Sequence, residues 1–327
     1  MKKLSRSGSL ALVTILFLLL SIAVELIDTP EMQNEYQVFQ DSTWIAPSLY
    51  TDRITTGEQR KMIMYGEDLI SKTANFLGPQ GSVLQISNGM NCQNCHLDAG
   101  RRPWGNNFGA TYAGYPRFRN RSGTIENIYR RINDCFERSM NGKLLDSNSY
   151  EMKSMYAYIK WVGENVPGNT KPYGSGLQSL PYLQRAASPE NGRKVFEMAC
   201  ISCHGSNGEG LKLNGQPGYL YPPLWGAASY NDGAGLYRIS GFAGFIKSNM
   251  PYDKASHDSP FLSNEEAWDV AAFVNSQPRP HKDQSDDYKD LSGKPVDFPF
   301  GPYVDTFNER QHKYGPFQPI AATKKKP

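Results

Sequence analysis

The feature that most constrains this chain is a five-residue cysteine pattern that occurs twice. The two copies are Cys92-Gln-Asn-Cys95-His96 and Cys200-Ile-Ser-Cys203-His204. This Cys-x-x-Cys-His spacing is typical of covalent haem c attachment, in which both sulfurs bond the porphyrin and the histidine ligates iron. A chance match, or a redox or zinc pair before a histidine, is the alternative, and a second copy makes it much weaker. His257, His281 and His312 do not form a matching zinc cluster. The sequence therefore predicts two covalently bound haem c groups.

The N-terminus is typical of an exported protein. Basic residues precede an apolar run from Leu10 to Leu20, and Ser21-Ile22-Ala23 supplies small residues where a signal peptidase would cut. We therefore predict a signal peptide over residues 1–23 and a periplasmic location. If the apolar run continues to Ile27, the same segment is long enough for an uncleaved membrane anchor. The net charge is only +3, which gives no global basic field for nucleic acid.

A helical unit is repeated along the chain. Residues 151–159 and 266–274 share alanine at the seventh position, an aromatic at the eighth and a β-branched residue at the ninth. Asn148 with Glu151, and Ser263 with Glu266, predict the N-terminal caps of these helices. Earlier helices are predicted over 57–77 and over 191–200, the latter opened by Ser188 and Pro189. Short helices and long loops around a haem, repeated twice, resemble the class I cytochrome c fold.

The predicted architecture is mainly α, with two class I cytochrome c-like domains in tandem and an irregular C-terminal strap. The first domain spans 24–165 and the second 188–277, and the Pro- and Gly-rich segment 166–187 links them. Residues 278–327 hold eight prolines and several aromatics, among them Phe298, Phe300, Tyr303, Phe307, Tyr314 and Phe317, so we expect a packed strap. Residues 222–226 resemble the cytochrome loop whose carbonyl fixes the proximal histidine.

The sixth ligand of each haem iron decides between electron transfer and substrate chemistry. Met250 lies 16 residues before Glu266, and Cys135 lies 16 residues before Glu151. The repeat therefore predicts Met250 as the distal ligand in the second domain and Cys135 in the first. A core methionine and a buried free thiol are the alternatives. A thiolate lowers the haem potential and methionine raises it, so electrons would run from the first haem to the second. A ligand thiolate is also a nucleophile when it leaves iron, which makes the first haem the candidate active site.

Arginines surround Cys135 in the sequence. Residues 101–140 hold eight (101, 102, 117, 119, 121, 130, 131 and 138) and no lysine. Arginine forks suit small oxyanions, because two parallel N–H donors meet two oxygens at once. Haem propionates also need cations, and Arg101, Arg102 and Arg130 are equally consistent with plain surface residues. We predict anion binding by Arg121, Arg131 and Arg138, with Ser139 as a further donor.

The segments around these residues resemble the dihaem thiosulfate dehydrogenases. The resemblance is carried by residues 92–100, 121–123, 131–142 and 245–251, and it extends into 281–317. It implies an oxidoreductase that joins two thiosulfates into tetrathionate with release of two electrons, or runs the reverse reaction. It also implies His96/Cys135 ligation at the first iron and His204/Met250 at the second. Some relatives place lysine directly before the ligand methionine, where this chain has Asn249, with Lys247 further back.

Our hypothesis for the reaction is that Cys135 leaves iron and carries a sulfur adduct from the first thiosulfate. The second thiosulfate then attacks this adduct. The arginines would offset the charge of two approaching dianions, and two haems can hold two electrons. The expected electron partner is a small cytochrome or another high-potential acceptor. The alternatives are a non-catalytic dihaem electron carrier, a Cys-ligated cytochrome that attaches thiosulfate to a carrier protein, and a dihaem peroxidase. The peroxidase is disfavoured because no histidine aligns with either distal position.

Overall fold

The computed structural model describes residues 44–48 and 57–324. The predicted signal peptide lies outside these residues. None of the helices within the described part is both long and apolar enough to cross a membrane. The elements in chain order are α1 Gly57–Ser71, α2 Thr73–Leu77, α3 Leu97–Gly100, β1 Arg117–Arg119, β2 Thr124–Glu126, α4 Ile128–Arg138, α5 Tyr150–Gly163, α6 Pro189–Ala199, α7 Ile201–His204, β3 Leu211–Lys212, β4 Tyr219–Tyr221, α8 Ile239–Asn249, α9 Asn264–Ser276, α10 Glu309–Tyr314 and α11 Gln318–Lys324. The fold is mainly α, as predicted; its strands form two short antiparallel hairpins.

Two hydrophobic cores follow the two halves of the repeat. The first contains Leu69, Phe136, Met152 and Tyr158, all almost fully buried. The second is built chiefly from α6, α8 and α9 and includes Phe196 and Trp268. Burial of large apolar side chains supplies most of the free energy that holds such irregular chains together. The domain boundaries stay predictions, although each predicted domain holds most of one core.

Matching glycines allow a close helix crossing in each half. A Cβ at Gly66 in α1 would collide with the Ser154 carbonyl of α5, and a Cβ at Gly192 in α6 would collide with the Asp269 carbonyl of α9. Ser154 and Asp269 are both three residues after the glutamates that define the repeat. Glycine is therefore required here for close backbone approach. The repeat thus extends to the crossing itself, a detail that the sequence analysis did not reach.

Two of the three predicted helix N-caps are confirmed. Ser188 accepts a hydrogen bond from the Asn191 amide, and Ser263 and Glu266 form a reciprocal capping box. The cap assigned to Asn148 is wrong, because Ser149 accepts from the Met152 amide and α5 begins one residue later. A serine hydroxyl reaches the third amide of a helix as well as an asparagine does, so spacing to Glu151 alone misplaced the start.

One predicted helix also needs correction. The helix expected over 57–77 is broken at Lys72 into α1 and α2. The helix capped by Ser188 begins at Pro189, as predicted, because the fixed φ of proline suits the first turn. The C-terminal segment packs as expected, with Phe298, Phe317 and Ile320 buried. It is less irregular than predicted, because it contains the short helices α10 and α11.

Candidate active site

The first Cys-x-x-Cys-His motif opens onto a cavity of about 640 Å³. Cys92, Cys95, His96 and Cys135 all line it. His96 Nδ1 lies 2.5 Å from the Asn106 carbonyl oxygen, so a neutral ring donates there and keeps Nε2 for a metal. Burial lowers the pKa of His96 to about 4, which keeps the imidazole neutral.

The second motif faces a separate cavity of about 530 Å³, lined by Cys200, Cys203, His204 and Met250. His204 Nδ1 lies 2.9 Å from the Pro222 carbonyl oxygen, which confirms the expectation for the loop at 222–226. Met250 directly follows α8. Lys247 donates instead to the Leu262 carbonyl at 2.6 Å. Its ammonium is thus occupied away from the methionine position.

These donor sets fit haem c. Each cavity offers two cysteines and a histidine whose outer nitrogen is held by a carbonyl, as a covalent haem with a proximal imidazole requires. All five cysteines are free of disulfides. In the ranges 44–48 and 57–324, no cluster of three or more His, Cys, Asp or Glu side chains could hold a metal ion.

Helix α4 brings Cys135 and Arg131 together. Asn127 caps the helix by accepting from the Arg130 amide at 2.9 Å. One turn separates residues four apart, so Arg131 lies beside Cys135, and its Nη1 is 3.0 Å from Sγ. The electrostatic interaction with Cys135 raises the pKa of Arg131 further above its usual value. This guanidinium is a fixed positive charge at the sulfur.

Four of the eight arginines line the first cavity, namely Arg119, Arg121, Arg131 and Arg138. Ser139, directly after α4, also lines it. Arg130 is on the outside, where it pairs with Asp134 at 3.1 Å and Glu137 at 3.5 Å. Arg101 pairs with Glu67 at 2.7 Å. The structure thus brings together all five residues predicted around the anion, including Cys135.

The sequence analysis missed residues that reach this site from elsewhere in the chain. Arg119 was in the counted set but was not chosen. Asp287 accepts hydrogen bonds from both Nη groups of Arg138, at 2.8 and 2.7 Å, so the Arg138 guanidinium is bound to the strap. Tyr288 lines the cavity, and its amide donates to the Arg121 carbonyl at 2.8 Å. A separation of about 150 residues leaves no sequence signal for these contacts, apart from the density of apolar residues in the strap.

The two cavities share part of their lining. Asn91, Cys95, Tyr230 and Leu236 border both. The Tyr230 ring is buried, its hydroxyl donates to Asn275 at 2.8 Å, and the Arg279 guanidinium lies 4.3 Å from the ring centre. Two adjoining haem cavities that share lining residues define a dihaem c-type cytochrome.

Comparisons with known proteins identify both halves. Residues 84–167 match the family model "SoxA/TsdA, cytochrome c domain", and residues 189–278 match "Cytochrome c". The chain therefore contains two cytochrome c domains in tandem and carries two covalently bound haem c groups, as predicted.

Several similar proteins share one name, "Thiosulfate dehydrogenase". The protein of Thiomonas intermedia is 37% identical over 67% of this chain and 67% of its own length. That of Psychrobacter arcticus is 40% identical over 62% and 60%. The protein of Allochromatium vinosum is 38% identical over 60% and 72%. The solved "Thiosulfate dehydrogenase (TsdBA)" of Marichromatium purpuratum is 32% identical with a TM-score of 0.66, over 73% of this chain and 50% of that chain. This chain belongs to the thiosulfate dehydrogenase family and is an oxidoreductase.

Proposed function

We propose that this protein oxidises thiosulfate and joins two thiosulfate ions into tetrathionate. The observation that carries the proposal is the contact between Arg131 Nη1 and Cys135 Sγ, at 3.0 Å, inside a cavity lined by four further arginines, Arg119, Arg121, Arg138 and Arg238. A sulfur nucleophile inside a positive cavity suits a reaction between two sulfur-containing dianions. The family name of the similar proteins supports the same substrate.

His96 and Cys135 would ligate the first haem iron, and His204 and Met250 the second. The pairing is supported by the cavities, each of which contains one proximal histidine and its proposed distal partner. When bound, the two haem groups accept the two electrons that the reaction releases. Cys135 and the arginines supply the remaining chemistry.

In the first step, the Cys135 thiolate and the outer sulfur of one thiosulfate form a disulfide bond, and two electrons leave. The second thiosulfate then attacks the sulfur that came from the first. A new sulfur–sulfur bond forms, the bond to Cys135 breaks, and tetrathionate leaves with the thiolate restored. Arg119, Arg121 and Arg131 lower the repulsion between the dianions, and Ser139 donates to an oxygen. The second step is an ordinary thiol–disulfide exchange. We therefore propose that the two reaction steps also run in reverse, as tetrathionate reduction.

The test is thiosulfate-dependent ferricyanide reduction by the purified dihaem protein, with tetrathionate measured as the product. We expect activity in the wild type and its collapse in Cys135→Gly. Arg130→Gln is the matched control, since Arg130 is the neighbour of Arg131 outside the cavity. Wild-type turnover in Cys135→Gly would contradict the role of the thiolate. No turnover in a wild type with two intact haems would favour an electron carrier.

We also propose export to the periplasm and electron delivery to a small cytochrome or another high-potential acceptor. Export is supported by the basic, apolar and small-residue order of the first 23 positions. Cell fractionation and the mass of the mature chain test it. A loss of about 23 residues in the periplasmic fraction is expected, whereas a full-length chain in membranes would indicate an uncleaved anchor.

A further inference from the structure

A carboxylate of the C-terminal strap is paired with two arginines that line the first cavity. Asp287 binds both Nη groups of Arg138, at 2.8 and 2.7 Å, and its Oδ2 is 3.9 Å from Arg121 Nε. The side chains of Asp287 and Arg138 are 9% and 7% exposed. A pair so buried is screened little by salt, so its charges act on whatever occupies the cavity.

The surroundings fix this arrangement. Arg121 Nη1 and Arg138 Nη1 both lie 3.4 Å from the Gly233 carbonyl oxygen. A Cβ on Gly233 would come within 2.9 Å of Arg138 Nη1, so the loop closes tightly over the guanidinium. The backbone amide of Tyr288 holds the chain next to Arg121. Asp287 is thus held against two cavity arginines at once.

Other carboxylates near the cavity are engaged differently. Asp134 pairs with the exposed Arg130 at 3.1 Å. Glu126 lies 3.9 Å from Arg119, so it offsets that arginine and not Arg121 or Arg138. Asp297 forms an ion pair with Arg238, which also lines the first cavity. Within the described part of the chain, Asp287 is therefore the carboxylate that offsets Arg121 and Arg138.

We propose that Asp287 sets the anion affinity of the first cavity by offsetting the charge of Arg121 and Arg138. The inference rests on the proposed function, because it concerns the dianion that this cavity binds. Four uncompensated guanidinium groups would hold a dianion tightly and release a dianionic product slowly. Asp287 does not line the cavity, but it reduces the positive potential there. The substrate can therefore bind and the dianionic product can still leave.

The test is calorimetric titration of the oxidised holoprotein with sulfate, a redox-inert dianion, at low ionic strength. Asp287→Asn keeps the shape and removes the charge, and we expect its Kd to fall by at least about threefold. A purely structural role predicts the opposite sign, because a loosened cavity binds more weakly. Unchanged or weaker sulfate binding in Asp287→Asn would overturn the inference.

Two further variants keep the test decisive if Asp287→Asn folds poorly. Asp287→Glu retains the charge and should bind sulfate within about twofold of the wild type. The double variant Arg138→Gln with Asp287→Asn removes both members of the pair and should also stay within about twofold. A tenfold loss in the double variant would mean that Arg138 binds the anion directly, and would overturn the proposal.

Steady-state kinetics supply an independent readout. In Asp287→Asn, the KM for thiosulfate and kcat should fall together, because substrate and product both bind more tightly. A raised KM would contradict the inference. The sulfate titration needs no turnover, so the two proposals fail separately. A wild type that does not oxidise thiosulfate, with tighter sulfate binding in the variant, would remove only the proposed function.

Discussion

The two haem cavities are built on the same repeat but differ at the proposed distal position. In the second, Met250 follows the end of α8 and lines a cavity with apolar residues such as Phe242 and Val274. In the first, Cys135 lies inside α4, with Arg131 bonded to its sulfur and more arginines around it. One repeated helical framework therefore holds one site suited to electron transfer and one suited to an anionic substrate. The difference is in the distal side chain and the charges around it, not in the core.

The largest expected effect comes from replacing Cys135 in the first site by methionine, the proposed ligand of the second site. In Cys135→Met, thiosulfate turnover should fall by at least about a thousandfold, because the thioether cannot form the disulfide with substrate. The potential of the first haem should rise, since methionine favours the reduced iron. Redox titration and ferricyanide reduction measure both effects. Retained turnover with a raised potential would mean that Cys135 tunes the haem and is not a nucleophile.

The second contrast is between neighbouring arginines on α4. Arg131→Gln removes the guanidinium at the Cys135 sulfur and should lower kcat/KM for thiosulfate by about a hundredfold. Arg130→Gln removes a half-exposed arginine that lies outside the cavity and should leave kcat/KM within about twofold. The ratio of the two effects is the measurement. Equal losses would indicate a general electrostatic effect of α4 and not a specific contact.

The repeated framework can itself be tested at its crossings. Gly66→Ala and Gly192→Ala each insert a methyl group against a partner carbonyl and should lower the free energy of unfolding by about 2–3 kcal/mol. Gly57→Ala, at the start of α1 with open space around it, should have little effect. Denaturant titration gives the values. A large loss in only one half would show that the two crossings are not equivalent.

How far the sequence predicts this molecule depends on how local the signal is. Cysteine spacing and helix periodicity are local, so they predicted both haem cavities, the mainly α fold and the proximity of Arg131 to Cys135. The carbonyl of Pro222 was also predicted, because that loop resembles a known one. Asp287, Tyr288 and the shared Tyr230 were missed. Their contacts arise from loops that cross between domains, and no periodic pattern records where an irregular segment packs.

The smallest expected effect concerns the attachment of the strap near the first site. His281 Nδ1 is 2.6 Å from Asp232 Oδ2, next to the Gly233 carbonyl that meets Arg121 and Arg138. The Asp232 carboxylate raises the pKa of His281 above its ordinary value. Protonated histidine therefore gains a partner on folding, and this stabilisation is present at low pH and lost as the pH rises through the raised pKa.

His281→Gln is the variant that measures this contribution. At pH 5.5 the wild type should unfold at a slightly higher denaturant concentration than the variant, and at pH 8.5 the difference should vanish. The histidine is largely exposed, so the effect is small and should weaken in high salt. A stability difference that grows with pH would reverse the sign and exclude the charged pair as its source.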